Sequence, residues 1–192
     1  MIAIIDYGAG NIRSVQNTLK RLGVDSTLTN DPALLMQADK VIFPGVGEAS
    51  FAMNQLRQYE LHRVIPSLTQ PVLGICLGMQ LLCHFSEEGG IQTLGVFDTN
   101  VKAFKPILNV PHMGWNSCTP ENSVLFRGID PTNDFYFVHS YYAELCAETI
   151  ATCDYILPFS AALQKDNFYG VQFHPEKSAD IGATLIQNFL EL

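Results

Sequence analysis

One cysteine in this chain stands in a setting suited to covalent chemistry. In Gly74-Ile75-Cys76-Leu77-Gly78 a thiol is bracketed by glycine two residues to either side. The spacing is that of the nucleophile elbow G-x-S-x-G, with sulfur in place of oxygen. A nucleophile on a tight strand-to-helix turn sits in a strained backbone conformation, and side chains at the flanking positions would collide with neighbouring elements. A helix beginning at the cysteine offers free N–H groups and a dipole that favour a thiolate and, later, an oxyanion. A buried cysteine in a glycine-flanked βα turn would look the same, so the motif alone does not decide.

A cysteine nucleophile needs a base within hydrogen-bond reach, and the base needs an orienting partner. Of five histidines, His174 is distinguished by its setting. It ends a strongly apolar strand, and Pro175 removes a backbone donor and stiffens the turn. Residues two apart in extended chain point the same way, so His174 and Glu176 can face one direction. The carboxylate would then fix the imidazole tautomer, giving Cys76, His174 and Glu176 the roles of a triad. The competing reading is an ordinary strand-end histidine. Pro44-Gly45-Val46-Gly47, directly after an apolar strand, is either a plain loop or a set of backbone N–H groups offered to an anion.

These residues require a parallel sheet with the chemistry at its carboxyl edge. Ile2–Asp6, 24–29, Lys40–Phe43 and the apolar run from Pro71 read as strands. Helical spacing follows at Ile12, Val15, Leu19 and Leu22, at 31–37 behind an Asn-Asp-Pro cap, in two pieces over 48–68, and at Leu77, Gln80, Leu81 and His84. From Ile91 onward short strand-like pieces replace this alternation: 95–97, 101–104, 109–110, 116–118, an aromatic strand Phe135–Tyr142, and 149–153. A hairpin pairs 161–164 with 169–173, and a helix over 182–190 closes the chain. The expected fold class is α/β: an open, mainly parallel central sheet with flanking helices and an additional antiparallel strand region in the C-terminal half. Residues 1–192 read as a single domain. Gly8 and Gly10 match part of a dinucleotide fingerprint, but Arg13 holds its third glycine position. A glycine-rich βα turn is therefore the better reading. The only tryptophan, Trp115, suits a core and an interface equally.

A net charge of −8 argues against a nucleic-acid surface, and no apolar stretch is long enough to span a membrane. The apolar start reads as a strand rather than a signal peptide. Five cysteines without a CxxC pair then suggest free thiols in a cytoplasmic setting.

Gly-Ile-Cys-Leu-Gly-Met-Gln at 74–80, Pro-Gly-Val-Gly at 44–47 and Val-Gln-Phe-His-Pro-Glu at 171–176 together resemble the class I, triad-type glutamine amidotransferases. Asp-Tyr-Gly-Ala-Gly-Asn at 6–11, Pro-His-Met-Gly-Trp-Asn at 111–116 and Tyr-Phe-Val-His-Ser-Tyr at 136–141 narrow the resemblance to glutaminase subunits of imidazole glycerol phosphate synthase. The six blocks run in order across the chain. The resemblance implies that glutamine is the substrate, attacked by Cys76 with His174 as acid and base. It implies an oxyanion hole from the backbone N–H groups of Val46 and Leu77, and substrate contacts at Gly45, Gln80, Ser140 and Tyr141. A heterodimer with a (β/α)₈-barrel cyclase subunit is implied, met through Asn11, Trp115, Tyr136 and Lys177. No cofactor or metal is implied. A glutaminase of pyridoxal phosphate synthesis fits the 112–116 block less well. A redox sensor using Cys76 leaves Glu176 and the 44–47 loop without a role. A cysteine peptidase would need an open cleft for peptide, on which the sequence is silent.

Overall fold

The computed structural model describes residues 1–8 and 11–192. The chain opens with β1 (Ile2–Ile5), α1 (Ile12–Arg21), β2 (Ser26–Thr29), α2 (Pro32–Gln37) and β3 (Lys40–Gly45). There follow α3 (Ala49–Gln58), α4 (Leu61–Val64), β4 (Val72–Cys76) and α5 (Leu77–Leu82). Then come β5 (Phe85–Ser86), β6 (Ile91–Gln92), β7 (Asn100–Ala103), β8 (His112–Ser117) and β9 (Thr119–Pro120). The last elements are β10 (Asp134–His139), β11 (Tyr141–Ala143), β12 (Thr149–Tyr155), β13 (Leu157–Lys165), β14 (Phe168–Val171) and α6 (Ala179–Leu190).

The main sheet runs β2-β1-β3-β4-β14-β13-β11-β7-β5-β6. From β2 to β14 every neighbour is parallel, and beyond β14 all pairs but β5·β7 are antiparallel. Strands β1 and β4 are buried along their whole length, as a parallel sheet covered on both faces requires. Side-chain alternation sorts the core into two clusters. Ile2, Ile4, Ile42, Leu73 and Ile75 meet α1 and α6, while Ala3, Ile5, Val41, Phe43 and Val72 meet α2 to α5. Local chemistry sets the helix starts. The Asp31 carboxylate accepts from the Ala33 N–H ahead of α2, with Pro32 in the first turn, and Glu48 accepts from the N–H groups of Ser50 and Phe51 at α3.

The α/β architecture with its antiparallel C-terminal region is as the sequence predicts. Several local expectations are corrected. The helix after Cys76 ends at Leu82, so His84 lies outside it and donates its backbone N–H to the Thr99 carbonyl instead. Residues 95–97 and 109–110 form no strand. The aromatic strand is two strands: β10 pairs with β8 in a separate two-stranded sheet, and β11 joins the main sheet. The chain changes sheet at Ser140. The glycine turn after β1 includes Ala9 and Gly10, which lie outside the described residues. Its neighbour Tyr7 is fully buried and donates its hydroxyl to the Pro44 carbonyl at 3.0 Å. It thereby anchors the start of the 44–47 loop.

Candidate active site

Parallel register brings the chemistry to one edge. Gly45 of β3 pairs with Cys76 of β4, and on the other side Val171 of β14 pairs with Ile75. The next residue of each strand end therefore meets the cysteine: the 46–47 loop from one side, Gln172 and His174 from the other. Sites at the carboxyl ends of parallel strands are the rule in such sheets.

Cys76 has φ 54° and ψ −111°, a left-handed conformation that costs a non-glycine residue on the order of 1–3 kcal/mol. The close approach of α5 to the sheet enforces it. A Cβ at Gly78 would sit 1.9 Å from the Phe43 carbonyl oxygen, and one at Gly74 would sit 2.8 Å from the Met79 nitrogen. Both glycines of the motif are thus required by packing. The thiol is buried, with the Val138 carbonyl 3.9 Å from Sγ and the Gln172 side-chain amide 3.7 Å from it.

His174 Nδ1 lies 2.8 Å from Glu176 Oε1, with both side chains almost wholly buried. The carboxylate accepts the Nδ1 proton and leaves Nε2, which has no well-aligned hydrogen bond, for chemistry. Burial works against a charged imidazole here. Cys76 beside it and Glu176 outweigh that penalty by hydrogen bonding and charge, so the imidazole is held protonated well above its ordinary range. The turn that carries the pair is tied to β10. The His174 N–H donates to the Tyr136 carbonyl at 2.8 Å, and Ser178 Oγ donates to the His174 carbonyl at 2.7 Å while accepting from the Tyr136 N–H at 2.9 Å.

A cleft of about 340 Å³ opens over the cysteine, lined by Val46, Gly47, Leu77, Gln80, Glu88, Ser140, Tyr141 and His174 among others. Gly45 is buried beneath it. Gln80 uses both amide hydrogens inside the protein, donating to the Tyr141 carbonyl and to Gln172 Oε1, each at 2.8 Å. Only its carbonyl oxygen is left for a ligand. Trp115 and Tyr136 face each other across β8 and β10 at 5.9 Å between ring centroids, with the Lys177 ammonium 5.7 Å over the tyrosine ring. Asn11 lies apart from this cluster at the start of α1, where its side chain accepts from Ser14. Lys177 makes no ion pair among the described residues; its partner is aromatic.

Three residues escaped the sequence reading. Gln172 is one polar side chain in an apolar run two positions before His174, which is its only sequence signal. Glu88 is a carboxylate in the cleft lining, delivered by a turn after the central helix. Burial raises its pKa, and it accepts from the Ala49 N–H. Ser178 follows the triad block and gives no signal of its own.

The chain matches the family described as glutamine amidotransferase class-I over residues 3–192. It is 57% identical over 194 aligned residues to the imidazole glycerol phosphate synthase subunit HisH of Bacteroides fragilis strain YCH46, covering 100% of this chain and 99% of that one. Proteins of the same name from Yersinia pestis and Escherichia coli K12 are 53% and 50% identical with the same coverage. Among solved structures, a GMP synthase subunit from Thermoplasma acidophilum superposes with a TM-score of 0.78 at 20% identity, over 99% of this chain and 92% of that one. PurLQS of Thermotoga maritima gives 0.75 at 15% identity, over 99% and 97%. At such identities these two likenesses speak for the fold alone.

Proposed function

The chain belongs to the class-I glutamine amidotransferases, in their imidazole glycerol phosphate synthase subunit group, and from that premise we propose that it releases ammonia from glutamine through Cys76, His174 and Glu176 for a (β/α)₈-barrel cyclase partner. The observation that carries the reading is the meeting of three strand ends: a strained cysteine, a glycine loop on one side, and an oriented histidine on the other.

The Cys76 thiolate attacks the side-chain carbonyl carbon of glutamine, and the carbonyl electron pair moves to oxygen. That oxyanion is received by the backbone N–H groups of Val46 and Leu77, each donor contributing on the order of 3–4 kcal/mol in comparable sites. His174 Nε2 gives its proton to the amide nitrogen, the C–N bond breaks, and ammonia leaves a glutamyl thioester. His174 then takes a proton from water, which attacks the thioester; glutamate departs and the thiolate returns. Glu176 holds the Nδ1 proton throughout. At the amino-acid end, Gly45, Ser140 and Tyr141 bound the substrate. The free carbonyl of Gln80 and the carboxylate of Glu88 suit its ammonium group.

The partner uses the ammonia to form imidazole glycerol phosphate and an aminoimidazole carboxamide ribonucleotide. It docks on the face carrying Asn11, Trp115, Tyr136 and Lys177. Residues 1–192 act as one domain, in the cytoplasm. Among the described residues, no helix is long and apolar enough to cross a membrane. In the complex, Cys76→Ala should release no ammonia from glutamine yet retain synthase activity when ammonium salt replaces glutamine. Continued ammonia release from glutamine would overturn the triad.

A further inference from the structure

We infer that Gln172 is a positioning residue for the nucleophile, holding an N–H donor against the Cys76 sulfur through an amide orientation that its neighbours fix. The inference rests on Cys76 being the nucleophile of the proposed function. Its starting point is the Tyr141 carbonyl, which can only accept. It receives His139 Nδ1 at 2.7 Å and Gln80 Nε2 at 2.8 Å, so Gln80 must turn its nitrogen toward it. The second hydrogen of that nitrogen points at Gln172, which must answer with oxygen at 2.8 Å. Gln172 therefore presents nitrogen, not oxygen, to Sγ at 3.7 Å. A flipped amide would set two donors against each other at Gln80, inside a site where Gln172 is fully buried and no water can substitute.

The consequence is directional. An N–H aimed at sulfur stabilises the thiolate over the thiol, because the charged acceptor makes the stronger hydrogen bond. The same amide locks Gln80, whose remaining carbonyl faces the cleft. One buried side chain thus couples the state of the nucleophile to the placement of a substrate-facing group. Strand register makes this possible: with Val171 opposite Ile75, residue 172 falls beside residue 76.

The test is the pH profile of Cys76 alkylation by iodoacetamide in the full chain, followed by mass on the Cys76 peptide. Gln172→Glu is close in shape but places a carboxylate against sulfur. It should move the midpoint up by about one unit or more, slowing alkylation near neutral pH about tenfold. Gln172→Leu keeps buried volume without a donor. It should move the midpoint in the same direction by a smaller amount, and it decides the matter if the carboxylate variant does not fold. Unmoved midpoints in folded variants, with only the melting temperature lowered, would reduce Gln172 to packing and overturn the inference. The readout needs no glutamine, so its outcome is separate from that of the glutaminase assay on Cys76→Ala.

Discussion

At the scale of single residues, the His174–Glu176 pair is where geometry most constrains chemistry. Oε1 accepts the Nδ1 proton at 2.8 Å, while Oε2 is buried without a partner. An amide in place of the carboxylate can present an N–H to Nδ1 and turn the imidazole to the wrong tautomer, and it removes the charge that steadies the imidazolium. Glu176→Gln should therefore lower glutaminase kcat on the order of 10³–10⁴-fold with KM little changed, measured in the presence of partner. A drop below tenfold would mean that another group orients the imidazole. The triad was legible in the sequence because each member carries a short-range signal: flanking glycines for Cys76, and a two-residue spacing for His174 and Glu176. Gln172, Glu88 and Ser178 were not. Their roles arise from contacts between segments about 40 to 100 residues apart, which only the register creates.

Among the elements, the decisive contacts are those where a helix is pressed against the chain that carries a catalytic group. Helix α5 lies so close to β3 that a Cβ at Gly78 would meet the Phe43 carbonyl at 1.9 Å, and neither atom belongs to a flexible side chain. Gly78→Ala should destabilise the chain by about 1–3 kcal/mol or more in urea unfolding. It should also weaken activity beyond that loss, since the shift needed runs straight into Cys76. Helix α6 makes the matching contact on the other partner: a Cβ at Gly182 would sit 1.9 Å from the Pro175 carbonyl oxygen, in the turn that holds Glu176. Gly182→Ala should lower kcat in a variant that remains folded at assay temperature, because the turn must give way. Wild-type kcat there would show that the turn is not rigidly coupled to the helix. The parallel βα half was readable because each strand and helix declares its period locally. The two-stranded sheet was not. Its strands β8 and β10 read as scattered pieces, and the break at Ser140 sits inside an unbroken aromatic run whose division depends on two different partners.

Over the molecule as a whole, the two-stranded sheet is joined to the rest through a buried histidine pair whose protonation couples the fold to pH. His139 Nδ1 donates to the Tyr141 carbonyl, so His139 Nε2 must accept from His112 Nδ1 at 2.9 Å, and His112 Nε2 accepts from Asn116 at 3.3 Å. Every nitrogen is used with both rings neutral, and an added proton would set two donors face to face. Desolvation pushes the His112 pKa down to about 4 from an ordinary 6.5, and His139 down to about 3 by desolvation and by the charges of His112 and His174. Both groups have depressed folded values, so the unfolded chain takes up their protons first as pH falls below about 6.5. Their contribution is complete above that pH and is lost toward pH 4. Glu88, raised by burial, works the other way at the acid end as one partly buried group against two histidines. His174 has the opposite sign, and its window does not overlap. Its folded pKa is raised, so its contribution is complete below 6.5 and declines as pH rises above it. The two effects together place maximum stability near pH 6.5, with a fall on either side. Urea midpoints between pH 4.5 and 9 should trace that dome. His112→Leu, less stable throughout because Asn116 and His139 lose a partner, should show a flatter acid limb while keeping the alkaline one. An acid limb as steep in His112→Leu as in the parent would assign the loss to other groups.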